Sequence, residues 1–322
     1  MAIYLSYKKG NNKLSKGNKL EAYMALSSAM LFWGLSFVAT KLALESFSTF
    51  TLVFVRFALA SCIFLALILM RGLPRFTAKD HMKIFLMAFF EPGLYFVFET
   101  IGLQHTSAPK VALIIATIPV VVMILSTFLL RERSSAMNLF GMAVSIVGIF
   151  VLISGDLKGN WEFGGSFLGD LYIFGAVISA SLYIVSARHL GKKHSAFDFT
   201  SMQIIYAAIL YIPAFIWEFP DMLWSHISIR SLCALAFLVL FATVSGFLCY
   251  NYALTKVAAT KASVFINGIP VITVISAWFL LGETLTIIQG LGGIIVLLGV
   301  FLTNIYDDGE TSYKSEPVAI KL

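Results

Sequence analysis

Residues 106–132 read TSAPKVALIIATIPVVVMILSTFLLRE, and residues 257–283 read VAATKASVFINGIPVITVISAWFLLGE. A shift of 151 positions without a gap brings Lys110 onto Lys261, Pro119 onto Pro270 and Glu132 onto Glu283. Extending the register to 102–152 against 253–303 adds Gly141 on Gly292 and Gly148 on Gly299, and 15 of the 51 pairs are identical. Apolar composition alone matches Leu with Leu. It does not hold a charge, a proline and two glycines in step. The chain is therefore a duplication. Upstream the register continues at an offset of 147, where Lys41 meets Arg188 and Arg56 meets Gln203.

The repeated stretch sits in a chain that is 59% hydrophobic and only 12% charged. A soluble domain of 322 residues needs more charge to cover its surface, so the composition indicates a polytopic membrane protein. Apolar runs near the ~20 residues a helix needs to cross a bilayer are expected at 22–43, 50–70, 82–103, 108–130, 136–154, 167–187, 197–217, 230–252, 258–281 and 285–305. The expected fold is all-α, with ten transmembrane helices in two repeats. Residues 1–21 form an amino-terminal tail, 22–154 the first repeat, 155–166 a linker, 167–305 the second repeat and 306–322 a carboxy-terminal tail. No cleavable leader is expected, because residues 1–20 are polar and lysine-rich and the first apolar run is long enough to span.

Basic residues then orient the chain. With the amino terminus inside, 18 of the 23 Lys and Arg fall on cytoplasmic segments. Lys41, Lys110, Lys158 and Arg230 fall outside, and Arg56 lies within a span. That bias places both termini in the cytoplasm, and a prokaryotic inner membrane is the expected location. Five spans per copy is an odd number, so the second copy enters from the opposite side. Inverted repeats of this kind support alternating access around a site at their junction. The positive charge is thus a topology signal and gives no reason to expect a nucleic-acid partner. Cys62, Cys233 and Cys249 lie in apolar runs without metal spacing, and no phosphate-binding GxxxxGK[ST] or GxGxxG occurs. No cofactor or metal is expected, nor enzymatic activity; the expected partners are a small-molecule substrate, the bilayer and protons.

These residues also carry a resemblance. Lys261-Ala262-Ser263, Asn267-Gly268-Ile269-Pro270 and Leu280-Leu281-Gly282-Glu283 resemble the second-repeat signature of the EamA family in the drug/metabolite transporter superfamily. The first repeat is similar in Phe32-Trp33-Gly34 with Lys41, in Arg56-Phe57, and in Thr106-Ser107-Ala108 leading to Pro119 and Glu132. The resemblance covers 22–305 and implies ten helices in inverted repeats, with export or exchange of small metabolites, often amino acids. One departure is the pair of acids, Glu91 and Glu99, in span three, which many relatives lack. It counts against a simple assignment to neutral amino acids.

A charge deep in a bilayer is costly and calls for a partner, a cavity or a role. Glu91, Tyr95 and Glu99 recur at steps of four, so they can share one helical face. Pro92 leaves a carbonyl one turn earlier without its helical donor. Glu91 is expected either to hold a cation or exchange a proton, or to be a structural acid bonded to a neighbouring hydroxyl. Arg56 is expected to pair with Glu99 across spans two and three, or else to meet a substrate carboxylate. Further candidates for substrate contact are Trp33, Ser36 and Thr40 on one face of span one, with Tyr183, Tyr250, Asn251 and Asn267 in later spans. Pro92, Pro119 and Pro270 are expected hinges. Lys110 and Lys261 are expected to anchor in the headgroups or to gate opposite sides. Gly141, Ser145 and Gly148, echoed by Gly292 and Gly299, make a small-residue stripe suited to helix packing. The rival readings are a passive facilitator, a non-transporting subunit or a membrane-embedded enzyme. Against the last, the five histidines lie at span ends without shared spacing and no large loop is present.

Overall fold

The structure is a computed structural model that describes residues 16–130, 136–154, 165–190, 194–221, 226–256 and 265–305. Lys261, Glu132, residues 1–15 of the expected amino-terminal tail and residues 306–322 lie outside those residues, while 16–21 already belong to the first helix. The described residues form helices α1 (Lys16–Leu44), α2 (Thr49–Arg71), α3 (Ala78–Ala88), α4 (Tyr95–His105), α5 (Ala108–Ile115), α6 (Ile118–Leu130) and α7 (Ala136–Ser154). Then come α8 (Gly165–Leu190), α9 (Ala196–Glu218), α10 (Ile229–Phe237), α11 (Gly246–Lys256), α12 (Ile269–Leu281) and α13 (Ile287–Ile305). Wider π-helical turns join α3 to α4 (Phe89–Leu94) and α10 to α11 (Leu238–Ser245).

Among the described residues, seven helical stretches are long and apolar enough to cross a membrane: Leu20–Leu44, Thr49–Arg71, Ala78–His105, Ala108–Leu125, Phe167–Ile184, Ala196–Glu218 and Ile229–Lys256. Three shorter apolar helices, Leu139–Leu152, Ile269–Leu281 and Ile287–Leu302, fall where the fifth, ninth and tenth spans are expected. Large apolar side chains such as Met70, Trp217, Phe279 and Ile287 point outward and are exposed. In water so broad an apolar exterior would drive association; in lipid it is the favourable surface.

Small hydroxyl side chains start the helices. Thr77 accepts from the Asp80 N–H while Asp80 returns the bond to the Thr77 N–H, a reciprocal cap. Ser107, Ser195 and Ser228 each accept from the N–H three residues on. Thr77 and Ser228 are 151 positions apart, so a cap recurs in the register of the duplication.

Packing recurs in the same way. Helix α1 lies against α11 and α12, and its counterpart α8 lies against α4 and α6. Helices α2 and α9 pack on each other, as do α7 and α13. Exchanging the halves therefore maps each of these contacts onto another or onto itself. The α7–α13 pair is the closest approach: a Cβ built on Gly148 would stand 2.5 Å from the Val296 nitrogen, and one on Gly292 2.4 Å from the Leu152 nitrogen. The small-residue stripes expected from the sequence face each other. Lipid gives helices no hydrophobic reason to associate, so this backbone proximity is what holds them.

The helices that carry Pro119 and Pro270 are each interrupted just before the proline. Span four is interrupted at Ala116 and Thr117, and the helix restarts with Pro119 in its first turn. Span nine is interrupted at 267–268 and restarts with Pro270 in its first turn. A proline lacks the N–H that an interior position must donate, and at a helix start that donor is not needed.

Candidate functional site

The interruption at Pro92 builds the site. Glu91 precedes a proline and adopts φ −144°, ψ 119°, the extended region that the proline ring imposes on its neighbour. The carbonyls released by the break are met by side chains of α9. Gln203 Nε2 donates to the Glu91 carbonyl at 2.7 Å, and the Tyr211 hydroxyl donates to the Pro92 carbonyl at 2.8 Å and also contacts that of Gly93. A buried carbonyl without a donor costs about 1–3 kcal/mol, so these bonds permit an open helix at this depth.

The second break is braced from the first half. Arg56 Nε donates to Thr243 Oγ1 at 2.7 Å, inside the π-helical turn of the other repeat. Arg56 and Gln203 are register equivalents, and each crosses to the other half's broken helix. The expected Arg56–Glu99 partnership is present as an interaction of charges and not as a hydrogen bond among the described residues: the guanidinium lies 4.3 Å from the Phe96 ring centre, and Arg56 Nη2 and both Glu99 carboxylate oxygens are enclosed without a hydrogen-bond partner there. Packing on α2 aims Arg56 at the second repeat, a direction that span depth alone does not reveal.

Between the two breaks lies a cavity with about 560 Å³ of atom-free space, its solvent-open mouth included. Glu91, Tyr95 and Glu99 line it together, as their spacing predicts, and Trp33, Ser36, Tyr183 and Tyr250 line it as well. Phe96, Phe247, Ile115, Ile118, Ile266 and Ile269 complete much of the remaining wall. These six are not legible in the sequence, because apolar side chains in spans carry no mark of which face is inward.

Four sequence candidates stand off the wall. Arg56 braces, as above. Asn251 accepts from the Tyr183 hydroxyl at 3.1 Å and donates to Thr200 at 2.8 Å, so it positions a wall residue from behind. Thr40 is buried on α1, its hydroxyl unpartnered among the described residues. Asn267 sits in the span-nine break beside Ile266 and Ile269, its Oδ1 enclosed and unpartnered among the described residues.

The Phe32-Trp33-Gly34 motif explains itself locally. A Cβ on Gly34 would fall 2.7 Å from Ile272, so glycine lets α1 sit against α12, and Thr273 donates to the Gly34 carbonyl at 2.8 Å. Trp33 then reaches the cavity, where its indole N–H donates to the Ala242 carbonyl at 3.1 Å.

Lys110 is neither a headgroup anchor nor exposed. It is buried, and its Nζ lies 2.6 Å from Asp170 Oδ2 on α8, with each side chain 1% exposed. The structure corrects the expected extension into the headgroups: Ser107 starts α5 so that Lys110 points into the bundle. Asp170 was missed, although a single acid in an apolar run is itself a signal. At the same end of the bundle Gly282, at φ +66°, ends α12 in the left-handed conformation that glycine tolerates. Glu283 then accepts from Lys41 Nζ at 2.5 Å and from the Ala108 N–H at 2.8 Å, tying α1, α5 and α12.

Comparison with known proteins follows the same architecture. The profile of the EamA-like transporter family matches residues 20–154 and 167–305. A protein of Archaeoglobus fulgidus named "Uncharacterized transporter" is 30% identical over 290 residues, covering 88% of this chain and 98% of its own length. "Uncharacterized transporter YetK" of Bacillus subtilis is 28% identical over 306 residues, covering 93% and 92%. A solved structure described as "Crystal structure of protein" superposes with a TM-score of 0.63 at 15% identity, over 90% of this chain and 96% of that one.

Proposed function

The chain belongs to the EamA-like transporter family, and from that premise we propose that it is a secondary-active carrier exporting small amphipathic metabolites, amino acids and their relatives among them. The observation that carries the reading is the cavity, whose wall is drawn from both halves: Trp33, Glu91 and Glu99 from one, Tyr183, Phe247 and Tyr250 from the other. A site at such a seam can face either side in turn when the halves exchange conformations.

In this reading ten spans cross a prokaryotic inner membrane as two inverted five-helix repeats, 22–154 and 167–305, with both termini in the cytoplasm. The breaks at Pro92, Pro119 and Pro270 are the hinges. Lys110 locks one end of the bundle, and its register equivalent Lys261 serves the opposite face. Glu91 exchanges a proton or holds a cation during the cycle. The orientation is tested with cysteines at the exposed positions Glu45 and Lys79. The first should react with an impermeant thiol reagent from outside intact cells and the second only after lysis; the reverse pattern would invert the topology.

Reconstituted protein should show saturable uptake of labelled amino acids or amines that is accelerated by the same solute on the far side, which a passive pore does not show. Glu91→Gln should lower that rate about tenfold, the equivalent of one lost charge-assisted contact of about 1.5 kcal/mol. Unchanged transport in Glu91→Gln, with unchanged response to pH, removes Glu91 from the mechanism.

A further inference from the structure

We infer that the ligand of the central cavity is an organic cation, an ammonium group carried on an apolar or aromatic body. This rests on the carrier reading and narrows its substrate class. Glu99 is 1% exposed, and no described group donates to either of its carboxylate oxygens. It shares the wall with a second carboxylate, Glu91. The cation nearest to hand, Arg56, does not line the cavity: it donates to Thr243, lies over the Phe96 ring and interacts through its charge with Glu99 from behind the wall, without a hydrogen bond to it among the described residues. Among the described wall residues there is no Lys, Arg or His. A ligand carboxylate would therefore meet two acids against the single charge of Arg56 behind the wall, whereas an ammonium would balance the acid that Arg56 leaves uncompensated.

The rest of the wall suits the body of such a cation. Trp33 is tethered through its indole N–H to Ala242 and lies 5.0 Å from Tyr250 and 5.5 Å from Phe247, centre to centre. The Tyr183 hydroxyl is already committed to Asn251. Rings held in this way present π-faces and edges, and ammonium groups are attracted to ring faces. A hard inorganic cation is a poorer match. It takes about six oxygen ligands, and no cluster of three His, Cys, Asp or Glu able to hold a metal occurs among the described residues. A proton could satisfy one carboxylate but would leave the aromatic wall without a role.

The test is calorimetric titration of the purified full-length chain with five probes of one shape. These are phenethylammonium, benzyltrimethylammonium, 2-phenylethanol, phenylalanine and phenylacetate. Both cations should bind at least about tenfold more tightly than the neutral alcohol, and neither phenylalanine nor phenylacetate should bind more tightly than the alcohol. Glu99→Gln should erase the preference for cations. Should that variant not fold, Glu91→Gln should reduce the same preference. Phenylalanine or phenylacetate binding as tightly as the amines, or no probe binding at all, overturns the assignment. The carrier reading fails separately. Saturable phenylalanine counterflow abolished by Tyr250→Ala would retain the carrier and discard the cation, whereas cation binding without saturable counterflow would do the reverse.

Discussion

Replacing Lys110 with methionine is expected to remove about 3–5 kcal/mol of stability, because it leaves Asp170 buried without the cation that sits 2.6 Å away. Both side chains are 1% exposed, so water cannot take over the lost role. The pair also joins α5 of the first half to α8 of the second. Thermal unfolding in detergent should show a fall in Tm on the order of 10 °C. The double variant Lys110→Met/Asp170→Leu should recover most of it, since an apolar pair of similar volume often matches a buried ion pair. A lysine merely reaching for headgroups would give almost no effect in the single variant. An unchanged Tm for Lys110→Met would therefore restore that simpler role and dismiss the buried pair.

The contrast shows which features the chain announces. The duplication, the places of the seven long apolar helices, the breaks beside Pro119 and Pro270 and the shared Glu91, Tyr95, Glu99 face were legible because each is a matter of spacing along the chain. What Lys110 and Arg56 touch was not, since a side chain's partner depends on how separate helices pack. Register did announce that Arg56 and Gln203 are equivalent, but not that each crosses over to brace the other half. Asp170 could have been found by asking of every lone acid in a span what neutralises it. Phe96 and Phe247 could not, because an inward aromatic and a lipid-facing one look alike in sequence.

The second large effect is expected at Gly299, where valine should cost about 3 kcal/mol or more. A Cβ there would stand 2.3 Å from the Ser145 nitrogen and 2.7 Å from the Gly141 carbonyl oxygen. Backbone atoms cannot rotate aside as a side chain can, so α13 must move away from α7. The loss then spreads along the seam to Gly148 and Gly292, whose own close contacts need the same spacing. Gly290, on the same helix, provides the control: nothing lies within 4 Å of its Cβ position. Valine at 290 should leave Tm within a degree or two, since helix propensity favours it slightly over glycine. Equal losses at 290 and 299 would mean that these helices do not meet along their glycines. Transport separates a further role. Gly141 and Gly148 are the register equivalents of Gly292 and Gly299, so exchanging the halves carries this seam onto itself. A contact that maps onto itself need not open when the halves trade conformations. Gly299→Val should therefore lower the amount of folded protein while leaving transport per folded molecule close to that of the parent, and a loss confined to turnover would place the moving parts at the seam instead.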